Sequence, residues 1–394
     1  MRSFCSNIKV RTKIILKENA LMKNTTTIFD IFQTFLSEKE VEKFSKILEY
    51  VDTARKFTLY DLIKFFIAAA TNEYKSYRDG VEHMESVGLT PVDYSTISKK
   101  ASKVDYKISK TLFEIIVSKC NRRMRRILNL PKQLIAIDST TVTVGENRLK
   151  WAKFNGKKSG IKLHISLNIN DFTPQKVIET IAKKHDGPIG EGLIDVHSIL
   201  VEDRAYENHE RFDMFKEIKQ SFVIRIKNNT ILSKPKKLRS LGVVENSSVI
   251  RDVTCYLGKE TKKTQNRFRV VEFTDYYGKS VKVCTDLMNI TPEKIAEIYK
   301  ERWKIETFFK FIKQNLNVKR IFGTTENAVY NQLFISLIAY VLLQFTYVET
   351  TKNLKYVKLS LIQFVRKLLK KSPKVEVYIS INLFLKNIKN KLII

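Results

Sequence analysis

The chain has 394 residues, with 71 Lys or Arg against 41 Asp or Glu, a net charge of +30. Such a surplus points to a polyanion, nucleic acid first and an anionic membrane surface second. The 43% hydrophobic content excludes a disordered chain and is enough for two or three domains.

Residues 1–25 are basic and weakly patterned, without the apolar stretch and cleavage site of a signal peptide, and Met22 is an alternative start. From residue 26 to about 130 the apolar spacing is helical, in "TIFDIFQTFL", "EVEKFSKILEYV" and "TLYDLIKFFIAAA". In "GLTPVDYSTISKKASKV", Gly88 and Pro91 make a turn and Ser95 can cap a short helix carrying Lys99, Lys100 and Lys103. This fits a helix-turn-helix contact with DNA as well as a solvated basic helix. "CNRRMRR", Cys120 to Arg126, adds a basic cluster.

At Pro131 the pattern turns to strand. "QLIAIDSTTVTV", "GIKLHISLNIN" and "QKVIETIAKKHD" read as three consecutive strands. "HSILVEDRAY" and "SFVIRIKNN" are two more, with a helix over "ENHERFDMFKEIKQ" between them, so 131–227 is an α/β layer. Residues 228–287 form a mostly β insertion, with strands in "SVIRDVTCYL", "FRVVEFTDYYG" and "KSVKVCTDL". One helix is expected from Thr291 to about Asn317, capped by Thr291 with Pro292 in its first turn. A second runs from about Glu326 to Tyr347 within the apolar run Ala328–Val348. Asn331, Gln332, Ser336 and Gln344 interrupt that run, which reads as a buried helix and not a membrane span. The last 44 residues, 351–394, hold eleven Lys or Arg and one acid, Glu376, in a basic helical tail.

Asp138 ends the apolar stretch Leu134–Ile137, and Asp203 closes Ser198–Glu202. On adjacent parallel strands these carboxylates stand side by side, and a helix across the sheet can deliver a third. That third is in "YKERWKIETFFKFIK". On an ideal helix Tyr299, Arg302, Glu306, Lys310 and Lys313 share a stripe about 80° wide, beside an apolar face of Ile305, Phe308, Phe309 and Ile312. Alone, the stripe is equally a salt-bridged edge. Three converging carboxylates call for cations, and hard divalent ions with oxygen ligands answer that call.

These residues resemble a known family. Tyr299, Arg302, Glu306 and Lys313 fit the signature Y-x2-R-x3-E-x6-K of the DDE transposases of bacterial insertion sequences of IS-four type. "AIDSTTV" resembles the first-Asp motif and "LVEDRAY" the second, over about 131–347. Separations of 65 residues from Asp138 to Asp203 and 103 from Asp203 to Glu306 leave room for the family's β insertion. The resemblance implies an RNase H-like mixed sheet flanked by helices, its parts at 131–227 and 288–350, with a helical DNA-binding region at 26–130. It implies that Asp138, Asp203 and Glu306 hold two Mg2+ or Mn2+ ions for cleavage and strand transfer. It assigns Arg302 and Lys313 to phosphates, with Tyr299 beside them. Trp303, Lys310 and Arg204 are further candidate DNA contacts. The implied partners are terminal inverted repeats and target DNA, held by a homodimer in a synaptic complex in the cytoplasm, with no membrane. Such enzymes often cut through a hairpin with a flipped base held by an aromatic. The insertion has no Trp, so Tyr256, Tyr276 and Tyr277 are its candidates. A nuclease of the same fold without strand joining, or an inactive DNA-binding repressor, are the alternatives.

Other features are less specific. Cys5, Cys120, Cys255 and Cys284 are scattered, without zinc spacing, and read as free thiols. His164 is either near the site or a strand histidine satisfied by a neighbour. Lys150, Lys153, Lys157, Lys158 and Lys162 around Trp151 and Phe154 suit DNA contact or a solvated loop. No Gly-rich phosphate loop supports a nucleotide cofactor.

Overall fold

A computed structural model of the chain describes residues 28–128, 133–154, 158–238, 247–351, 359–369 and 380–386. The N-terminal extension 1–25, Lys157, the side chains of the basic cluster after Cys120 and most of the C-terminal tail lie outside them. In chain order come helices α1 (Ile28–Phe35), α2 (Glu38–Ile47), α3 (Leu59–Thr71), α4 (Tyr77–Glu82), α5 (Tyr94–Lys103) and α6 (Tyr106–Leu128). Strands β1 (Gln133–Gly145), β2 (Lys153–Phe154), β3 (Lys158–Asn168), β4 (Thr173–Ile181) and β5 (Ser198–Glu202) follow, then α7 (His209–Glu217) and β6 (Ser221–Arg225). Next are β7 (Leu232–Lys237), β8 (Val249–Lys259), β9 (Lys262–Lys263), β10 (Phe268–Thr274) and β11 (Ser280–Thr285). Last come α8 (Pro292–Glu301), α9 (Trp303–Asn315), α10 (Glu326–Thr351) and α11 (Leu361–Leu369).

Two compact units result, 1–120 with 315–394, and 121–314. In the first, the regular elements among the described residues are helices. Ser37 with Glu40 and Thr58 with Asp61 form capping boxes that start α2 and α3. Asp93, not the expected Ser95, caps α5, its carboxylate accepting from the Ser95 N–H at 2.8 Å. The aspartate lies one residue outside the first turn, where a side chain can reach back to an unpaired amide; Ser95 is already inside it. Helix α10 is the core of this unit and packs on α1, α3 and α5. By length and composition it could cross a membrane, yet 83% of its apolar window is buried by the protein. Its polar residues tie it in. The Asn331 amide donates to the carbonyls of Ala101 (3.2 Å) and Val104 (2.8 Å) and accepts from the Ser109 hydroxyl at 2.6 Å. Gln332 accepts from the Phe322 N–H and donates to the Arg320 carbonyl.

The second unit is a mixed sheet of eleven strands in the order β2-β3-β1-β5-β6-β11-β10-β8-β7, with β4 beside β3 and β9 beside β8. β1 runs parallel to β5 and β5 to β6; β3 and β4 are antiparallel additions to β1. The insertion is not a separate layer. β11 pairs antiparallel with β6, so its strands continue the same sheet. β7 passed unnoticed in the sequence because Pro235 breaks its pattern; its pairing with β8 skips around that proline. Successive strand residues face opposite sides. Ile135, Ile137, Leu200, Phe222, Ile224 and Phe268 join Phe212 and Phe215 of α7 in the main core. The other face carries Asp138, and α8 packs there across β5, β6, β8 and β10.

Candidate active site

The parallel register of β1 and β5 pairs Ile137 with Glu202. The next residue on each strand is an aspartate, and Asp203 keeps extended backbone (φ −81°, ψ 169°). Asp138, in the middle of β1, and Asp203, just past the end of β5, therefore lie side by side on the same face. Burial pushes the Asp138 carboxyl up to about 6. The Ser139 N–H, 2.8 Å away, and Arg302 pull it down, while Asp203 and Glu306 push it up again.

Helices α8 and α9 bring the rest. The single helix expected here is broken at Arg302. The Arg302 N–H bonds to the Tyr299 carbonyl and the Ile305 N–H to the Arg302 carbonyl, each at 3.1 Å. Three-residue bonds wind the backbone more tightly than an α-helix, so one wheel no longer spans the stripe. Arg302, almost buried, has one nitrogen 3.5 Å from an Asp138 oxygen and another 2.7 Å from a Glu306 oxygen. It also lies in the field of Asp203. One guanidinium thus serves three carboxylates. Among the described residues no three His, Cys, Asp or Glu side chains are drawn as close as a metal would hold them. The donor set nonetheless fits hard divalent ions: oxygen ligands only, mutually repelling, with one carboxyl that burial, helped by the two neighbouring acids, pushes up to about 6.

Tyr299 is buried against Phe273, and burial raises its hydroxyl, which lies beside the guanidinium of Arg225. Arg225 ends β6 and was not singled out in the sequence; only the register β5–β6–β11 brings it here. Trp303 is 64% exposed beside Arg302. Lys310 is exposed and Lys313 half-buried on α9. Arg204 is exposed and shares a groove of about 500 Å³ with Asp203, Lys227, Asn228 and Asn229. Lys227 and Asn229 also line a cleft of about 770 Å³ with Lys259, Lys262 and Lys263. Lys263 joins that cleft to a third hollow of about 540 Å³ holding Lys234, Lys236 and Arg267. A track rich in lysine thus leads from Asp203 over the insertion, although Glu207, Glu210 and Asp213 also line its first cleft. On it Lys263 and Arg267 lie 5.2 and 5.0 Å from the centre of the Tyr256 ring, while Tyr276 and Tyr277 project into solvent at the β10–β11 turn.

The remaining candidates stand apart. His164 is fully buried, with Nε2 2.9 Å from the Thr180 hydroxyl and Nδ1 3.3 Å from Asp186. Burial lowers it to about 4, so it is neutral at physiological pH. Lys153 and Phe154 belong to β2, and Lys162 is bonded to Asp186 and the Lys184 carbonyl. Cys255 and Cys284 are free thiols and, like Cys120, buried.

A family model described as transposase DDE domain matches residues 129–342. The chain is 46% identical over 346 residues to a probable transposase for insertion sequence element IS5377 of Geobacillus stearothermophilus, covering 88% of this chain and 91% of that protein. It is 31% identical to putative transposase y4zB of Sinorhizobium fredii, covering 59% of this chain and 65% of the other. It is 27% identical to a putative transposase for insertion sequence element IS4SA of Synechocystis, over 64% and 71% of the two chains.

Proposed function

Because the chain belongs to the transposase DDE domain family and is an insertion-sequence transposase, we propose that Asp138, Asp203 and Glu306 are its catalytic acids, on an RNase H-like core. The observation that carries this reading is the shared guanidinium: Arg302 reaches Asp138 and Glu306 at 3.5 and 2.7 Å, next to the paired end of β5. Acids 168 residues apart in sequence thus meet at one cation (306 against 138). Bound Mg2+ or Mn2+, two ions in all, would activate a water or a 3′-hydroxyl and stabilise the leaving oxygen of an in-line phosphoryl transfer.

The chain's own residues have distinct tasks. Asp138 and Asp203 present oxygens from adjacent central strands of the sheet. Glu306 supplies a third from α9. Arg302 partly offsets the charge of Asp138 and Glu306 and offers a two-pronged donor to a scissile-strand phosphate. Tyr299 and Arg225 buttress it from below. Lys310 and Lys313 extend the positive surface along α9, and the lysines of the track, from Lys227 to Lys263, suit a DNA backbone. The helices before residue 130 contribute further DNA binding, and a homodimer holds two inverted repeats in the cytoplasm.

The test is incubation with end-labelled terminal repeats and Mg2+. Joined products are expected. Cleavage without joining would reduce the protein to a nuclease, and a metal-independent shift without cutting would leave only a DNA-binding repressor. Glu306→Ala should abolish cleavage while keeping repeat binding; a variant that still cuts removes Glu306 from the set.

A further inference from the structure

Behind Asp203, on the opposite face of the sheet, lies an ion pair that the catalytic reading does not use. Glu202 has no exposed surface and Arg211 is 4% exposed. Both guanidinium Nη atoms donate to the carboxylate, Nη2 to Oε1 at 2.8 Å. Arg211 Nη1 also points at the Tyr206 carbonyl, 3.4 Å away. The guanidinium lies 4.6 Å from the centre of the Phe215 ring. Gly190 closes the nest, since a Cβ there would stand 3.1 Å from Arg211 Nη2 and from the Tyr206 ring.

The topology gives the pair its meaning. Glu202 is the last residue of β5 and Arg211 lies in the first turn of α7. The segment between them begins with Asp203. The pair therefore ties both ends of the turn that carries the second acid, and its contact with the Tyr206 carbonyl fixes the middle. Period-two alternation then sends Asp203 to the face opposite Glu202, beside Asp138. A buried ion pair is no better for stability than an apolar pair of similar volume, but its fork geometry selects one arrangement.

We propose that Glu202 and Arg211 are positioning residues that lock the Asp203 turn in the geometry needed to share a divalent ion with Asp138. This rests on the assignment of both aspartates as metal ligands. The experiment uses the full chain and Mn2+ as the probe, with bound Mn2+ read directly by electron paramagnetic resonance. Removing one partner strands a buried charge and can unfold the protein, so the decisive variant is the double Glu202→Met/Arg211→Met, with Arg211→Lys as its companion. Both should keep cooperative unfolding and repeat binding. Both should weaken Mn2+ binding about tenfold or more and shift the Mg2+ midpoint of cleavage by the same factor. Native Mn2+ affinity in a folded variant of either kind would overturn the proposal and leave the pair purely structural. Failure of the catalytic reading looks different: Mn2+ binding by the wild type would be absent, or unchanged in Asp138→Asn.

Discussion

Replacing Asp138 by Asn should stabilise the metal-free protein at neutral pH. The Asp138 carboxyl is pushed from 3.8 up to about 6. Between those values the folded state still holds a proton that the unfolded chain has released. Stability is therefore lost as pH rises through that window, and above pH 6 the wild type carries the whole penalty. Two pH units at 1.36 kcal/mol each give about 3 kcal/mol. The side chain is 26% exposed, and solvent screening trims this to about 2 kcal/mol. For a unit of this size that is a rise of roughly 4–8 °C in melting temperature. The assay is thermal unfolding in chelator at pH 4 and pH 7.5, followed by circular dichroism. The variant should come close to the wild type at the lower pH, where both side chains are neutral in the folded state, and exceed it at the higher. Divalent ions should stabilise the wild type alone. Equal stability at pH 7.5, or a less stable variant, would refute the claim that burial beside two other acids disfavours the Asp138 carboxylate.

Three other substitutions probe separate parts of the argument. Arg302→Ala should lower the slope of log binding against log salt by about 0.9, the release expected from one phosphate contact; an unchanged slope in a filter-binding titration would take Arg302 off the DNA. Phe222→Ala removes a fully buried ring stacked on Phe212 at 5.2 Å and should cost about 3–5 kcal/mol in urea unfolding. Asn331→Leu orphans the carbonyls of Ala101 and Val104 and should cost at least about 2 kcal/mol, read as a lower melting temperature; no change would mean that these carbonyls find other donors.

Most strands, β7 apart, and the positions of the acids proposed as catalytic were legible because each leaves a local mark. An acid at the end of an apolar run is visible in "LIAID" and "ILVED", and strand alternation needs only a few residues. The broken helix was not visible. Tyr299–Lys313 has no Pro or Gly to stop it, and the break lies in carbonyl bonds around Arg302 that no residue type announces. Arg225 and the Glu202–Arg211 pair were passed over because their meaning depends on partners set by register and by α7. The joining of β11 to β6 is likewise a long-range pairing, and periodicity says nothing about which strands meet.

That joining bears on any effort to shrink the protein. Cutting out 228–287 resembles trimming an appendage, but it would strip β6 of its neighbour on that side. The bared strand, "SFVIR", is apolar and would offer a row of unpaired amides and carbonyls to any other chain. A minimal version would then fail by edge-to-edge aggregation before its chemistry could be assayed, unless a charge or proline were written into β6 to blunt it.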